Sequence, residues 1–478
     1  MSTTPLLPLF LQQAGSLRSR LCVTLRTAIA QGHLRYQQKL PSSRQLASDL
    51  GISRVTVEAA YAQLESEGYL SRSSGRGTFV AIEMAPVSRG APVAPRRQFS
   101  QRGTVLLRGN GCDDPPFPQA FAAGSPDLRA FPHALWQRIS QRTQRLLGQK
   151  AMGYGDPLGY WPLRQAVADY LVLSRGMQCE ASQVMILTSS QQALQLLALL
   201  LLDAGDEVGM EEPGYAGARQ AFIAAGAQCR ALPPDSEGTQ LTANSARLVY
   251  LTPGHHYPYG TAMSLARRLQ WLAWAKAQQS WIIEDDYDSE FHYDDRPGPA
   301  LQSLDRTGRV ITLGTFSKTL FPSLRLAWMV LPTGLIEACG RVRSVMDGHS
   351  ALLPQAITAE FLLQGHFASH LRLMRQLYHS RRDLLRTRLQ QELAPWLKAV
   401  PSPGGLQLTA TLNHGNEAQL TQLAQGLGLI LPRLSPLFGG AATQQGWILG
   451  FAALTPDEII AGCSKLVTLF SRYVQNAR

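Results

Sequence analysis

The chain has 478 residues, enough for two or three domains of ~100–200 residues each, and 45% of it is hydrophobic, an ordinary globular share. No apolar run reaches the ~18 residues that a membrane span needs, and residues 1–10 lack the basic start, apolar core and small-residue cleavage site of a signal peptide. The net charge of +11 is unevenly placed: the first 110 residues carry 14 basic and five acidic side chains, as expected of a segment that meets a polyanion.

The first predicted helix is set by Leu17, Leu21, Leu25 and Ile29 at helical spacing, with Gly32 ending it. Pro41 and Ser42 open a second, with Leu46, Ala47 and Leu50 on its inner face, and Gly51 makes the turn. Ser53 caps a third, running through Val57, Tyr61 and Leu64 to about Gly68. Two extended pieces, 69–72 and 78–80, are joined by Ser73-Ser74-Gly75-Arg76-Gly77. Three helices and a hairpin make a winged helix-turn-helix over residues 1–81. A recognition helix needs small polar and basic residues at its start. Ser53-Arg54-Val55-Thr56-Val57 supplies them beside an apolar anchor. Arg44 can reach a phosphate or a guanine, and Arg76, between glycines at the wing tip, can approach a minor groove. The expected partner is double-stranded DNA.

Residues 82–103, rich in Pro, Ala, Gly, Ser and Arg, read as a flexible linker. From residue 104 onward, apolar runs at 184–187, 207–210, 248–251, 281–284, 310–313 and 326–331 look like buried strands, with amphipathic helices between several of them. That alternation predicts an α/β fold, a mainly parallel sheet with helices on both faces. A long helix is expected from Phe361 to about Leu393. A smaller α+β segment follows, with Gly404-Gly405-Leu406 and residues 447–451 as candidate strands. The six cysteines, at 22, 112, 179, 229, 339 and 463, have no paired spacing and read as reduced thiols of a cytoplasmic protein, without disulfides or a metal site.

Chemistry concentrates after the strands. Lys318 in Gly314-Thr315-Phe316-Ser317-Lys318, Asp285 upstream and Arg325 downstream are the parts needed to hold pyridoxal phosphate. A lysine amine condenses with the aldehyde, an aspartate keeps the pyridine nitrogen protonated, and an arginine forks onto the phosphate. Thr188-Ser189-Ser190-Gln191-Gln192 opens a helix whose N-terminus suits a phosphate. Ligands gather beyond the carboxyl ends of strands in open α/β sheets, so these assignments converge on one crevice. Lys318 is the expected catalytic residue. Ser189, Ser190, Gln191, Thr315, Ser317 and Arg325 are expected on the phosphate, Tyr287 on the phenolic oxygen, and Tyr215 stacked on the ring or lining the substrate side.

Leu40-Pro41-Ser42-Ser43-Arg44-Gln45-Leu46-Ala47, Gly51-Ile52-Ser53-Arg54-Val55-Thr56-Val57 and Gly75-Arg76-Gly77-Thr78-Phe79-Val80 resemble the GntR-type winged helix. The resemblance implies DNA contacts at Arg44, Ser53, Arg54, Thr56, Arg76 and Gly77. From Gly124 to Phe470 the chain resembles fold-type I aminotransferases. Tyr154-Gly155-Asp156-Pro157-Leu158-Gly159-Tyr160 and Glu284-Asp285-Asp286-Tyr287-Asp288-Ser289-Glu290-Phe291 extend the match. Together the two parts resemble the MocR/GabR family of bacterial transcription regulators. That implies a head-to-tail homodimer in which the segment 154–160 contributes to the partner's site. Three departures stand out. Ser189 replaces a glycine usual before the phosphate-binding serine. The loop His255-His256-Tyr257-Pro258-Tyr259-Gly260 stands where aminotransferases carry an asparagine. Ile448 stands where they carry the arginine that clamps a substrate carboxylate, with Arg433 a candidate replacement.

The function these residues point to is a pyridoxal phosphate-dependent DNA-binding regulator that senses an amino compound or the cofactor itself, with at most weak transamination. An active aminotransferase with an appended DNA-binding domain is the alternative. A third possibility, a DNA-binding protein whose body is only a dimerisation scaffold, fits poorly with the complete Lys318, Asp285 and Arg325 set.

Overall fold

The computed structural model describes residues 6–83, 99–107, 109, 119–242, 245–294 and 298–476. The chain divides into two compact units, Met1–Gln98 and Phe99–Arg478.

In the first unit, α1 (Leu6–Leu11) precedes α2 (Leu17–Ala30), α3 (Ser43–Leu50), α4 (Arg54–Ser66) and the hairpin β1 (Leu70–Ser73) and β2 (Gly77–Val80). The three main helices start the same way. Ser16, Ser42 and Ser53 each turn a side-chain oxygen onto the backbone N–H three residues on, at Ser19, Gln45 and Thr56. That satisfies one of the orphan donors at each helix start. Gly51 ends α3 at φ 64°, the left-handed conformation in which a Cβ is penalised. Leu21, Leu25, Leu46, Val57, Tyr61 and Leu64 form the core. The wing is antiparallel, with Leu70 opposite Val80 and Ser73 opposite Gly77. Helix α1, which the sequence pattern did not signal, adds Leu6 and Phe10 to this core.

Residues 84–98, most of the expected linker, and Cys112 lie outside the described residues. The linker's expected last residues are not extended, because Ser100 caps a short helix, Gln101–Leu106.

The second unit is built on β3 (Val184–Leu187), β4 (Glu207–Glu211), β5 (Gln228–Leu232), β6 (Leu248–Leu251), β7 (Trp281–Asp285), β8 (Val310–Thr315) and β9 (Ala327–Val330). Their order across the sheet is β3-β9-β8-β7-β6-β4-β5. Only β9 runs against its neighbours. Both faces are buried. Met185 and Leu187 of β3 pack into one cluster with the helix Ser190–Leu201, while Val184 and Ile186 pack into the other with Trp161–Arg175 and Leu352–Leu363. That two-sided burial explains the continuous apolar runs of the sequence. Strand β5 escaped sequence reading because it is an edge strand with Gln228 and Arg230 exposed, leaving no apolar run.

Beyond the sheet, two expectations need correction. The single long helix is two, Leu352–Leu363 and His366–Glu392, because Gly365 adopts φ 76° between them. The strand expected at Gly404-Gly405-Leu406 begins instead at Gln407. Strands β10 (Leu397–Ala399), β11 (Gln407–Leu412) and β12 (Gly446–Gly450) form a three-stranded antiparallel sheet. Gly405, at φ 85°, turns into it. Leu408, Trp447 and Leu449 bury one face of this sheet against the helices His366–Glu392 and Pro456–Asn476.

Candidate functional site

The DNA-facing candidates lie on α3, at the start of α4 and on the wing between β1 and β2. Arg44, Arg54 and Arg76 are all exposed. Arg54 Nε donates to Ser43 Oγ at 3.3 Å, which ties it to the preceding helix. Ser53 and Thr56 are occupied by the cap: their hydroxyls are 2.8 Å apart and the Thr56 N–H donates to Ser53 Oγ. Gly77, at φ 116°, lies so close to Lys39 that a Cβ would meet that side chain. The acids of α4, Glu58 and Glu65, and its C-cap Glu67 are paired with arginines from outside the helix. Arg72 reaches Glu58 at 3.3 Å and Glu65 at 3.2 Å, and Arg26 reaches Glu67 at 2.6 Å. Among the described residues Arg44, Arg54 and Arg76 form no ion pair, so their charge remains for an external polyanion. The sequence reading gave one apolar anchor, and the structure separates the two valines. Val57 is fully buried, whereas Val55 is 77% exposed on the first turn.

In the second unit the candidates gather at the carboxyl ends of parallel strands. Asp285 ends β7, and Leu313 of the adjacent β8 is its register partner. Lys318 follows five residues after Leu313, in the turn Phe316–Thr319. Its Nζ donates to the Gly124 carbonyl at 2.8 Å. A Cβ at Gly124 would sit 2.6 Å from that nitrogen, so the glycine makes room for the lysine. Thr315 caps the turn, its hydroxyl accepting from the Ser317 N–H at 3.1 Å. Ser190 begins the helix after β3, and Ser189 caps it by accepting from the Gln192 N–H. Gln191 donates to the Gly217 carbonyl at 2.9 Å and receives the Tyr215 hydroxyl at 3.5 Å. Tyr257 joins Tyr215 and Tyr287, its ring edge-on to each with centroids 6.0 Å apart. Arg325 is exposed and takes the left-handed conformation at φ 53°.

Asp285 is the electrostatic centre of this crevice. Tyr250, buried on β6, donates to its Oδ2 at 2.6 Å. Its Oδ1 is buried without a hydrogen-bond partner among the described residues. Burial, against the lowering effect of the Tyr250 hydrogen bond, pushes the carboxyl up to about 7. A protonated ring nitrogen is the donor such an oxygen lacks, so the donor set here fits a pyridinium.

Sequence reasoning missed Gly124, Tyr250 and Ser402. Gly124 and Ser402 stand in loops with no periodic signal, and Tyr250 was hidden inside a buried run. It also left His255 and Asp288 without a role.

The place of Ile448 can be read from register. It pairs with Thr409, while Leu408 and Leu449 face the core, so Ile448, Thr409 and Gln407 share the other face. That face meets the loops of the crevice: Thr409 donates to the Pro258 carbonyl at 2.7 Å, and Gln407 stands beside Gly124. Arg433 pairs with the core residue Trp447 and leaves on the opposite face, so it does not stand in for a clamp beside Ile448.

Residues 17–80 match the gntR family of bacterial regulatory proteins, and residues 121–465 match aminotransferase class I and II. The chain is 39% identical to the probable rhizopine catabolism regulatory protein MocR of Rhizobium meliloti, over 93% of this chain and 92% of that one. It is 29% identical to the pyridoxine biosynthesis regulator PdxR of Corynebacterium glutamicum, over 95% and 96%. The second unit is similar to LysN, an α-aminoadipate aminotransferase of Thermus thermophilus solved with N-(5'-phosphopyridoxyl)-L-leucine. The TM-score is 0.69 at 28% identity, covering 74% of this chain and 92% of that one. A GntR-type DNA-binding head and an aminotransferase body in one chain, aligned end to end with such regulators, place this protein in the MocR-type family of helix-turn-helix transcription regulators.

Proposed function

We propose that the body of this regulator binds pyridoxal phosphate at Lys318 and senses an amino compound, or the cofactor itself, to set how the heads bind DNA. The observation that carries the reading is the buried Asp285 Oδ1, lacking a donor, one strand from Lys318. Pyridoxal phosphate supplies an aldehyde that condenses with amines and a ring that withdraws electrons. Lys318 would hold the aldehyde end, Asp285 the ring nitrogen and Tyr287 the phenolic oxygen. Arg325, Thr315, Ser317, Ser189, Ser190 and Gln191 would surround the phosphate, and Tyr215 would line the ring. The phosphopyridoxyl group of the LysN complex supports this reading.

Effector amine and Lys318 compete for one electrophile, and a ligand that favours one arrangement of heads shifts operator affinity. The active form we propose is a cytoplasmic homodimer of head-to-tail bodies joined to their heads by the linker. Arg44, Arg54 and Arg76 contact the operator, with Ser53, Thr56 and Gly77 shaping the helix start and the wing. The test is optical. Purified protein should be yellow, with an absorbance band that borohydride abolishes, and an amine screen should shift that band. A colourless protein that gains no band from added pyridoxal phosphate would refute the reading.

An active aminotransferase is the second reading, and Ile448 disfavours it. Without a cation on that face an α-carboxylate loses a charge-assisted, bidentate anchor and the orientation it enforces.

A further inference from the structure

His255 lies just past β6, and both nitrogens of its ring have partners. Its Nδ1 stands 2.9 and 3.1 Å from the two Asp288 carboxylate oxygens and 3.0 Å from the Tyr287 hydroxyl. Its Nε2 stands 2.8 Å from Ser402 Oγ. Three segments meet at this ring: the loop after β6, the segment after β7, and the turn between β10 and β11. His255 is 5% exposed and Asp288 2%. Two glycines wall the ring, Gly260 at φ 79° and Gly405 at φ 85°. A Cβ on Gly260 would strike Ser402 Oγ and His255 Nε2, and one on Gly405 would strike His255 Cε1. The space admits an imidazole and little more.

The proton positions follow. A buried carboxylate facing Nδ1 with both oxygens accepts only, so the ring proton sits on Nδ1. A protonated Nδ1 cannot accept. The Tyr287 oxygen can therefore only share that N–H, and its own O–H must point elsewhere. Burial, then the Asp288 charge, pushes the Tyr287 hydroxyl well above the ordinary tyrosine value, so it keeps its proton. The other titratable groups acting on it are Tyr257, Asp285 and Glu211. Ser402, which can donate or accept, closes the far side of the ring in either protonation state.

We propose that His255, paired with Asp288, is a positioning residue that holds the Tyr287 oxygen as an acceptor and so aims the Tyr287 O–H at the cofactor. This rests on the reading above that Tyr287 faces pyridoxal phosphate. Neither His255 nor Ser402 need touch the cofactor to act this way.

The test is an absorbance titration against pH of the full-length protein loaded with pyridoxal phosphate. Tyr287→Phe sets the reference, since loss of its hydrogen bond should raise the midpoint of the cofactor band. His255→Leu should move the midpoint the same way, by about one unit, a tenfold change in proton affinity. The double variant should move it no further. His255→Asn, which keeps an N–H donor, should stay near the wild-type midpoint. Should His255→Leu fail to fold, Asp288→Asn serves instead: it releases the tautomer and should also raise the midpoint. A merely structural role would lower melting temperature or cofactor occupancy and leave the midpoint in place. A midpoint indifferent to His255 and Asp288, or shifts that add fully to Tyr287→Phe, would overturn the inference alone. A wild-type protein with no cofactor band would overturn the cofactor reading and this inference with it.

Discussion

Tyr250 donates its hydroxyl to one oxygen of Asp285 at 2.6 Å and leaves the other buried without a partner among the described residues. The asymmetry has a consequence for pH. In the folded, cofactor-free protein the Asp285 carboxyl titrates at about 7, above its ordinary 3.8, chiefly through burial. The folded state then binds a proton that the unfolded chain releases. The associated stability is complete below about 3.8 and is lost as pH rises to about 7. Cofactor-free protein should therefore lose melting temperature across that window. Glu290, buried and also pushed up to about 7, adds a slope of the same sign. Asp285→Asn should reduce the slope without abolishing it, as thermal melts at several pH values would register. Equal slopes in the two proteins would refute the assignment.

Lys318→Ala should fold and melt close to wild type, because the lysine is only half-buried and its truncation leaves the buried apolar core untouched. It should lose the borohydride-sensitive absorbance band entirely. A variant that keeps a reducible band would assign the covalent linkage to another lysine.

Val55 and Val57 differ by two positions and should differ in kind. Val57→Ala opens the core of the head and should cost about 2 kcal/mol, whereas Val55→Ala should change stability by less than about 0.5 kcal/mol. Ser53→Ala, which removes the cap of α4, should cost roughly 1 kcal/mol. Chemical denaturation of the full-length protein, read at its first transition, distinguishes the three.

Operator binding should weaken steeply with salt, since each phosphate neutralised by an arginine releases counterions. Arg54→Ala should lower affinity for the operator more than for random duplex, by roughly 1–3 kcal/mol of discrimination if Arg54 reads a base edge. Equal losses on both duplexes in a fluorescence-anisotropy titration would make Arg54 a phosphate contact.

The head was legible in the sequence because its signals are local. Ser42 and Ser53 mark helix starts, Gly51 marks a turn, and apolar spacing marks each inner face. Even the roles of Val55 and Val57 follow helical phase, since Ala60, Tyr61 and Leu64 share a face with Val57 and not with Val55. The sheet was legible because its inner strands are buried on both faces. The edge strand β5 and the break at Gly365 were not, because one lacks an apolar run and the other interrupts a helical pattern that continues beyond it. The network around His255 was hidden for a different reason. Asp288 lies 33 residues from His255 and Ser402 lies 147 residues away, and only the fold brings them together.

Coupling between body and head is the centre of this account, and one paired titration tests it. An amine that shifts the cofactor band is titrated into full-length protein bound to labelled operator, with absorbance and anisotropy followed together. Wild-type protein should change operator affinity at the same midpoint as the spectral shift, and Lys318→Ala should show neither change. A spectral shift that leaves operator affinity untouched would contradict the account.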